Sequence, residues 1–322
     1  MKKIMILAVG GTIAGKGQAG KSAEYKPGEV GIQEIIDSVP GIEKLAEVQG
    51  KQFLNTASDN VTSKNLIDLA NEINKLAKED IDGFVVTHGT DTLEETAYFL
   101  NLTVKTNKPV VMVGSMRPST AISADGPMNL YQAVALAAHD DSVGKGVLIS
   151  FSDSIVGARE GQKVNTFRTD AFNGRDFGIF GYLHDDNVYF INQSTKKHTF
   201  ETEFDVSELT DLPKVGIAYF HLDADVKILD YIYKNSEAIV IAGAGNGGAS
   251  KEWGMKLKKK KDKKPIVSCS RIGNGYVSKR AKSPENYLNA GTLNPQKARI
   301  LLQLALTKTS DYAEIMRMFQ TY

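Results

Sequence analysis

The chain has 322 residues, enough for two domains that each bury a core. Its 39 Lys and Arg balance 38 Asp and Glu, so no global field draws it to nucleic acid or to an acidic surface. The single cysteine, Cys269, excludes an intrachain disulfide framework, and no run reaches the ~20 apolar residues of a membrane-spanning helix.

In chain order, Ile4–Val9 comes first. With Met1-Lys2-Lys3 it imitates the front of a secretion signal, but it runs into Gly10-Gly11-Thr12 without a small-residue cleavage site. It is predicted to be the first strand. Ser63–Lys78 places Leu66, Ile67, Leu69, Ala70, Ile73 and Leu76 near a 3.6-residue period, with Thr62 or Ser63 as N-cap, and is predicted to be a helix. Strand Gly83–Thr87, helix Asp91–Leu100, strand Pro109–Val113, helix Asn129–Ala138 and strand Gly146–Phe151 follow. From about Asn192 to Pro213 the chain is polar and aperiodic. Strands Lys214–Tyr219, Ala238–Ala242 and Pro265–Ser268 come next, with helix Lys251–Lys258 among them. Helix Asn294–Leu306, with Pro295 in its first turn, completes the series.

Such alternation is the pattern of α/β folds with parallel sheets. The expectation is a larger N-terminal α/β domain with a mostly parallel sheet over 1–192, then a linker over 193–212. A smaller C-terminal α/β domain with a parallel sheet follows over 213–322. The basic run Lys256–Lys264 has no interleaved aromatics and reads as a solvated loop or helix end.

Ligands of open parallel sheets bind beyond the carboxyl ends of strands. Three such junctions carry small hydroxyl and acidic residues: Gly10-Gly11-Thr12, Thr87-His88-Gly89-Thr90-Asp91 and Gly114-Ser115-Met116-Arg117. A threonine hydroxyl needs a base to act as a nucleophile. An ordinary aspartate is a weak base, so a lysine with an aspartate to orient it suits the task better. Spacing does not choose that lysine, and local sequence leaves Thr12, Thr90 and Asp91 equally open as caps or turn formers.

Val9-Gly10-Gly11-Thr12-Ile13-Ala14-Gly15 and Val86-Thr87-His88-Gly89-Thr90-Asp91-Thr92-Leu93-Glu94-Glu95-Thr96-Ala97 resemble the two signature motifs of the bacterial asparaginases. The likeness continues through Lys108–Pro118, Ser123–Pro127, Leu293–Arg299 and Phe319–Tyr322. It covers the whole chain and is nearest the type II, periplasmic-type asparaginase/glutaminase branch.

That resemblance implies hydrolysis of L-asparagine to L-aspartate and ammonia without cofactor or metal, with minor glutaminase activity. Thr12 takes the place of the nucleophile, and Tyr25, in a lid over about Gly15 to Gly31, would help activate it. Thr90, Asp91 and Lys163 match the second catalytic constellation. Gly11, Ser58, Asp59 and Ser115 fall at substrate-binding positions. A homotetramer of intimate dimers is implied, each C-terminal domain completing a neighbour's site. The branch also suggests a periplasmic location, against a cytoplasmic one if Met1 is the native start.

Three departures stand out. Asp59 replaces a longer Gln or Glu, and Gly248 stands where the family presents Asn or Ser to a neighbouring subunit. Tyr276–Asn286 is shortened, leaving Glu285 as the only acid able to support the partner's lid tyrosine.

A competing reading is a dinucleotide-binding oxidoreductase. The G-x-G-x-x-G pattern occurs at Gly15–Gly20 and Gly243–Gly248, the latter between a strand and a helix. His88 could orient its turn or do chemistry. The remaining histidines lack metal-ligand spacing.

Overall fold

The computed structural model describes residues 1–18, 20–21, 25–26 (backbone only), 31–278 and 284–322. It divides into two compact units, Met1–Glu208 and Leu209–Tyr322.

In the first unit an eight-stranded sheet is built from β1 (Lys3–Gly10), β2 (Glu47–Thr56), β3 (Gly83–Thr87), β4 (Val110–Val113), β5 (Val147–Phe151), β6 (Ser154–Gly157), β7 (Gly181–His184) and β8 (Asn187–Phe190). Their order is β8-β7-β6-β5-β4-β3-β1-β2. The run from β2 to β5 is parallel, and β5 to β8 is antiparallel. The sheet is therefore mostly parallel, with an antiparallel flank that the sequence reading lacked. Ser152 and Asp153, both at positive φ (45° and 62°), turn the chain from β5 into β6 without a glycine.

The inner parallel strands β1, β3, β4 and β5 are largely apolar and buried because both faces are covered. Helices α1 (Ile32–Asp37), α2 (Ile42–Leu45), α3 (Ser63–Leu76), α4 (Leu93–Thr103) and α5 (Gly126–Ala138) belong to this unit. On one face Ile4, Ile6, Val85 and Val111 meet Leu130 and Val134 of α5 and Ile32 and Ile35 of α1. Thr62 caps α3 by accepting from the Asn65 N–H, and Asn65 returns a bond from the Thr62 N–H.

Register fixes where the loops emerge. Gly10 lies opposite Thr56, Ala8 opposite Thr87, and Thr87 opposite Val113. The carboxyl ends of β1, β2, β3 and β4 thus share one edge of the sheet.

In the second unit a parallel four-stranded sheet has the order β9 (Val215–Tyr219), β10 (Ala238–Gly243), β11 (Ile266–Ser270), β12 (Tyr287–Asn289). Helices α6 (Val226–Lys234), α7 (Lys251–Lys258), α8 (Pro295–Leu306) and α9 (Tyr312–Thr321) accompany it. Leu229, Tyr233, Trp253, Leu257, Ile239 and Ile241 form a core, and the indole N–H of Trp253 donates to the Ala224 carbonyl at 3.0 Å. The basic run ends α7: Lys256 and Lys260 pair with Asp230, and the Lys264 ammonium donates to the carbonyls of Tyr233 and Ser236.

Candidate active site

Two glycines bring the signature loops into backbone contact. Gly10 and Gly11 both adopt positive φ, 122° and 86°. A Cβ on Gly11 would lie 2.3 Å from the Gly89 Cα, and one on Gly89 would lie 2.8 Å from the Ser58 hydroxyl oxygen. Only glycine permits this approach. The Gly11 N–H donates to the Thr56 carbonyl, and the Thr92 hydroxyl to the Ser58 carbonyl at 2.7 Å. Thr12 and Thr90 therefore each follow directly on one member of a touching glycine pair, with Ser58 beside it. All three are buried, at 5–6% exposure.

Thr90 joins a side-chain network with Lys163 and Asp91. The Lys163 ammonium nitrogen lies 2.8 Å from Thr90 Oγ1 and 2.6 Å from Asp91 Oδ1. Lys163 comes from a two-residue ribbon, Gln162–Lys163, paired antiparallel with Phe172–Asn173. Asp91 remains largely exposed while the lysine side chain is mostly covered. The chain Asp91–Lys163–Thr90 thus runs from solvent inward.

His88 sits between these loops with no exposure. Its Nδ1 is 2.8 Å from the Gly89 carbonyl, which can only accept, so Nδ1 carries the proton. Nε2 then accepts from the Thr96 hydroxyl at 3.0 Å. Burial pushes the imidazole down to about 4, partly offset by the Gly89 bond. The neutral ring braces the Gly89-Thr90 turn.

Comparison with known proteins places the chain as a whole. A family model described as "Asparaginase, N-terminal" matches residues 3–196, and one described as "Glutaminase/Asparaginase C-terminal domain" matches residues 214–319. L-asparaginase 2 of Bacillus subtilis (strain 168) is 49% identical across all of this chain and 87% of that protein. The chain belongs to the asparaginase family. It is accordingly an amidohydrolase. Glutaminase-asparaginase of Pseudomonas fluorescens biotype A is 42% identical over the whole chain and 91% of that protein. The solved structure of a probable cytoplasmic L-asparaginase from Campylobacter jejuni superposes with a TM-score of 0.96 at 44% identity, covering both chains fully.

The other expected asparaginase positions are distributed as follows. Asp59 is exposed next to Ser58, at the carboxyl end of β2. Ser115 is fully buried, and its hydroxyl donates to the Arg117 carbonyl at 2.9 Å. The side chain of Tyr25 lies outside the described residues. So does much of the segment over about Gly15 to Gly31 expected to form a lid, and residues 279–283 do as well. The backbone of Tyr25–Lys26 pairs with Lys16–Gly17. That stem is tied to the third junction: Gly17 N–H donates to the Thr120 hydroxyl, and Gly20 N–H to the Thr120 carbonyl.

In the second unit, Gly248 and Ala244 exchange two backbone bonds of 2.7 Å. The Gly243–Gly248 loop thereby uses on itself amides that a dinucleotide phosphate would need, which removes the support for the oxidoreductase reading. Glu285 is exposed just before β12. Among the described residues no group of three or more His, Cys, Asp or Glu could hold a metal, and no helix is long and apolar enough to cross a membrane.

Two holding residues escaped the sequence reading. Both oxygens of Asp125 accept from the backbone of the third junction, at Met116 and Arg117, each at 2.9 Å. Glu94, buried in the first turn of α4, accepts from the Lys163 N–H at 2.6 Å.

Proposed function

We propose that this asparaginase-family chain hydrolyses L-asparagine to L-aspartate and ammonia by double displacement, with L-glutamine as a minor substrate. The observation that carries the reading is the Asp91–Lys163–Thr90 hydrogen-bond chain ending beside the Gly11–Gly89 contact from which Thr12 projects.

Thr12 Oγ attacks the side-chain amide carbon, with Tyr25 assisting removal of the hydroxyl proton. The C–N bond breaks and ammonia leaves with that proton, giving an ester on Thr12. A water then adds to the ester carbon. Its proton passes along the Thr90–Lys163–Asp91 hydrogen-bond chain and on to Thr12 Oγ as the ester bond breaks, which releases aspartate and restores the threonine hydroxyl. Backbone N–H groups beside Thr12 and Thr90 stabilise the tetrahedral oxyanion; such donors point at charge that exists only transiently.

Ser58 and neighbouring amides hold the α-carboxylate, while Asp59 and Asp91 pair with the α-ammonium. Gly11 and Ser115 shape the pocket wall. Gripping both charged groups sets the amide within reach of Thr12, where orientation supplies about 7–11 kcal/mol at best. The active assembly is a homotetramer of intimate dimers, with Gly248 and Glu285 facing a neighbour's site.

Ammonia release from L-asparagine, L-glutamine and D-asparagine, run side by side on wild type, Thr12→Ala and Thr90→Val, tests this. L-asparagine should be the best substrate, and both variants should fold and lose nearly all turnover. Full turnover in either variant would remove that threonine from its role.

A further inference from the structure

The second catalytic constellation depends on a lysine delivered by a ribbon of only two residues. A long, flexible side chain on so short an element has little to fix its stem. The ribbon's partner strand does not supply that restraint at Lys163 itself. Lys163 is paired opposite Phe172, but the bond running to the partner strand is made next door, from the Val164 N–H to the Ala171 carbonyl at 2.7 Å. The Lys163 N–H instead points outward to Glu94 Oε2 at 2.6 Å.

Glu94 lies three and four residues beyond Asp91 and Thr90, on the first turn of α4, where the helix N-terminus favours a carboxylate. One helical turn and the loop that opens it therefore hold one lysine at both ends. Glu94 takes the backbone N–H, while Thr90 and Asp91 take the ammonium. The ribbon is also pressed from behind, because a Cβ on Gly161 would lie 2.7 Å from Ile149 of β5.

We propose that Glu94 is a positioning residue for Lys163: its carboxylate oxygen clamps the lysine backbone so that the ammonium reaches Thr90. The inference rests on the reading of Lys163 as the proton carrier for Thr90. What matters is an acceptor at the reach of a glutamate side chain, so a glutamine should serve and an aspartate should fall short.

Steady-state ammonia release from L-asparagine by Glu94→Gln, Glu94→Asp and Glu94→Ala, beside Lys163→Met and with thermal midpoints recorded, decides the matter. Glu94→Gln should keep kcat within about threefold of wild type, since its amide oxygen accepts the same N–H. Glu94→Asp and Glu94→Ala should lose kcat on the order of tenfold to a hundredfold, with KM within about twofold, because the lysine is displaced while the substrate contacts are kept. If Glu94→Ala does not fold, the Gln and Asp pair still decides.

Turnover lost in Glu94→Gln but kept in Glu94→Asp would overturn the clamp in favour of charge, and equal loss in both would overturn an acceptor set by reach alone. Unchanged kcat in Asp or Ala with only a lowered midpoint would reduce Glu94 to a structural acid. Turnover surviving in Lys163→Met would remove the lysine's role and the clamp with it. Turnover abolished there but intact in Glu94→Ala would remove the clamp alone.

Discussion

Lowering the pH from 7 towards 4 should destabilise this protein through His88 before its carboxylates become important. The imidazole titrates near 6.5 in the unfolded chain and is pushed down to about 4 by burial in the fold. Between those values the unfolded state binds the extra proton, so stability is complete above about pH 6.5 and falls as the pH drops towards 4. Linkage gives a loss of about 2 kcal/mol at pH 5 and about 3 kcal/mol at pH 4 from this residue alone. Charging the ring would also take away the acceptor that Nε2 offers to Thr96 and loosen the turn presenting Thr90. The assay is denaturant unfolding of wild type and His88→Gln from pH 7.5 to 4.5. Glutamine does not titrate, so the variant should be less stable at pH 7 and lose less on acidification, the two curves converging. Parallel curves would refute the assignment of a buried, neutral His88.

Gly11→Ala should cost about 2–5 kcal/mol and nearly all turnover, because it combines a positive φ with a Cβ driven into the Gly89 backbone; wild-type kcat and thermal midpoint would contradict the touching-loop geometry. Gly248→Asn should lower KM for L-asparagine by supplying a side-chain amide at the position proposed to face a neighbour's site. An unchanged Michaelis constant would count against that contact.

What the sequence made legible follows from burial. The strands β1, β3, β4, β5 and β10 are largely apolar, buried runs because both sheet faces are covered, and with the shorter apolar runs of β9 and β11 they were readable within a residue or two. β2 was not. It is an edge strand of Glu47-Val-Gln-Gly-Lys-Gln-Phe-Leu-Asn-Thr, half in solvent, with no apolar run to announce it. The antiparallel flank β6–β8 hid for a different reason: its strands are four residues long, and Ser152–Asp153 make a turn in left-handed conformations without the usual glycine.

The site divides in the same way. Thr12, Thr90 and Asp91 stand at strand ends, where topology alone makes residues suspect. Lys163 comes from a two-residue ribbon about seventy positions downstream of Thr90, and no spacing rule selects it; only resemblance reached it. Glu94 and Asp125 act through loop amides that have no signature in side-chain pattern.

The most direct measurement is a crystal structure with L-aspartate bound at the completed site. Its side-chain carboxyl carbon should lie about 3–3.5 Å from Thr12 Oγ. The α-ammonium should sit at Asp59 and Asp91, and the α-carboxylate at Ser58. Aspartate bound elsewhere, or held with that carbon out of reach of both Thr12 and Thr90, would contradict the proposed chemistry.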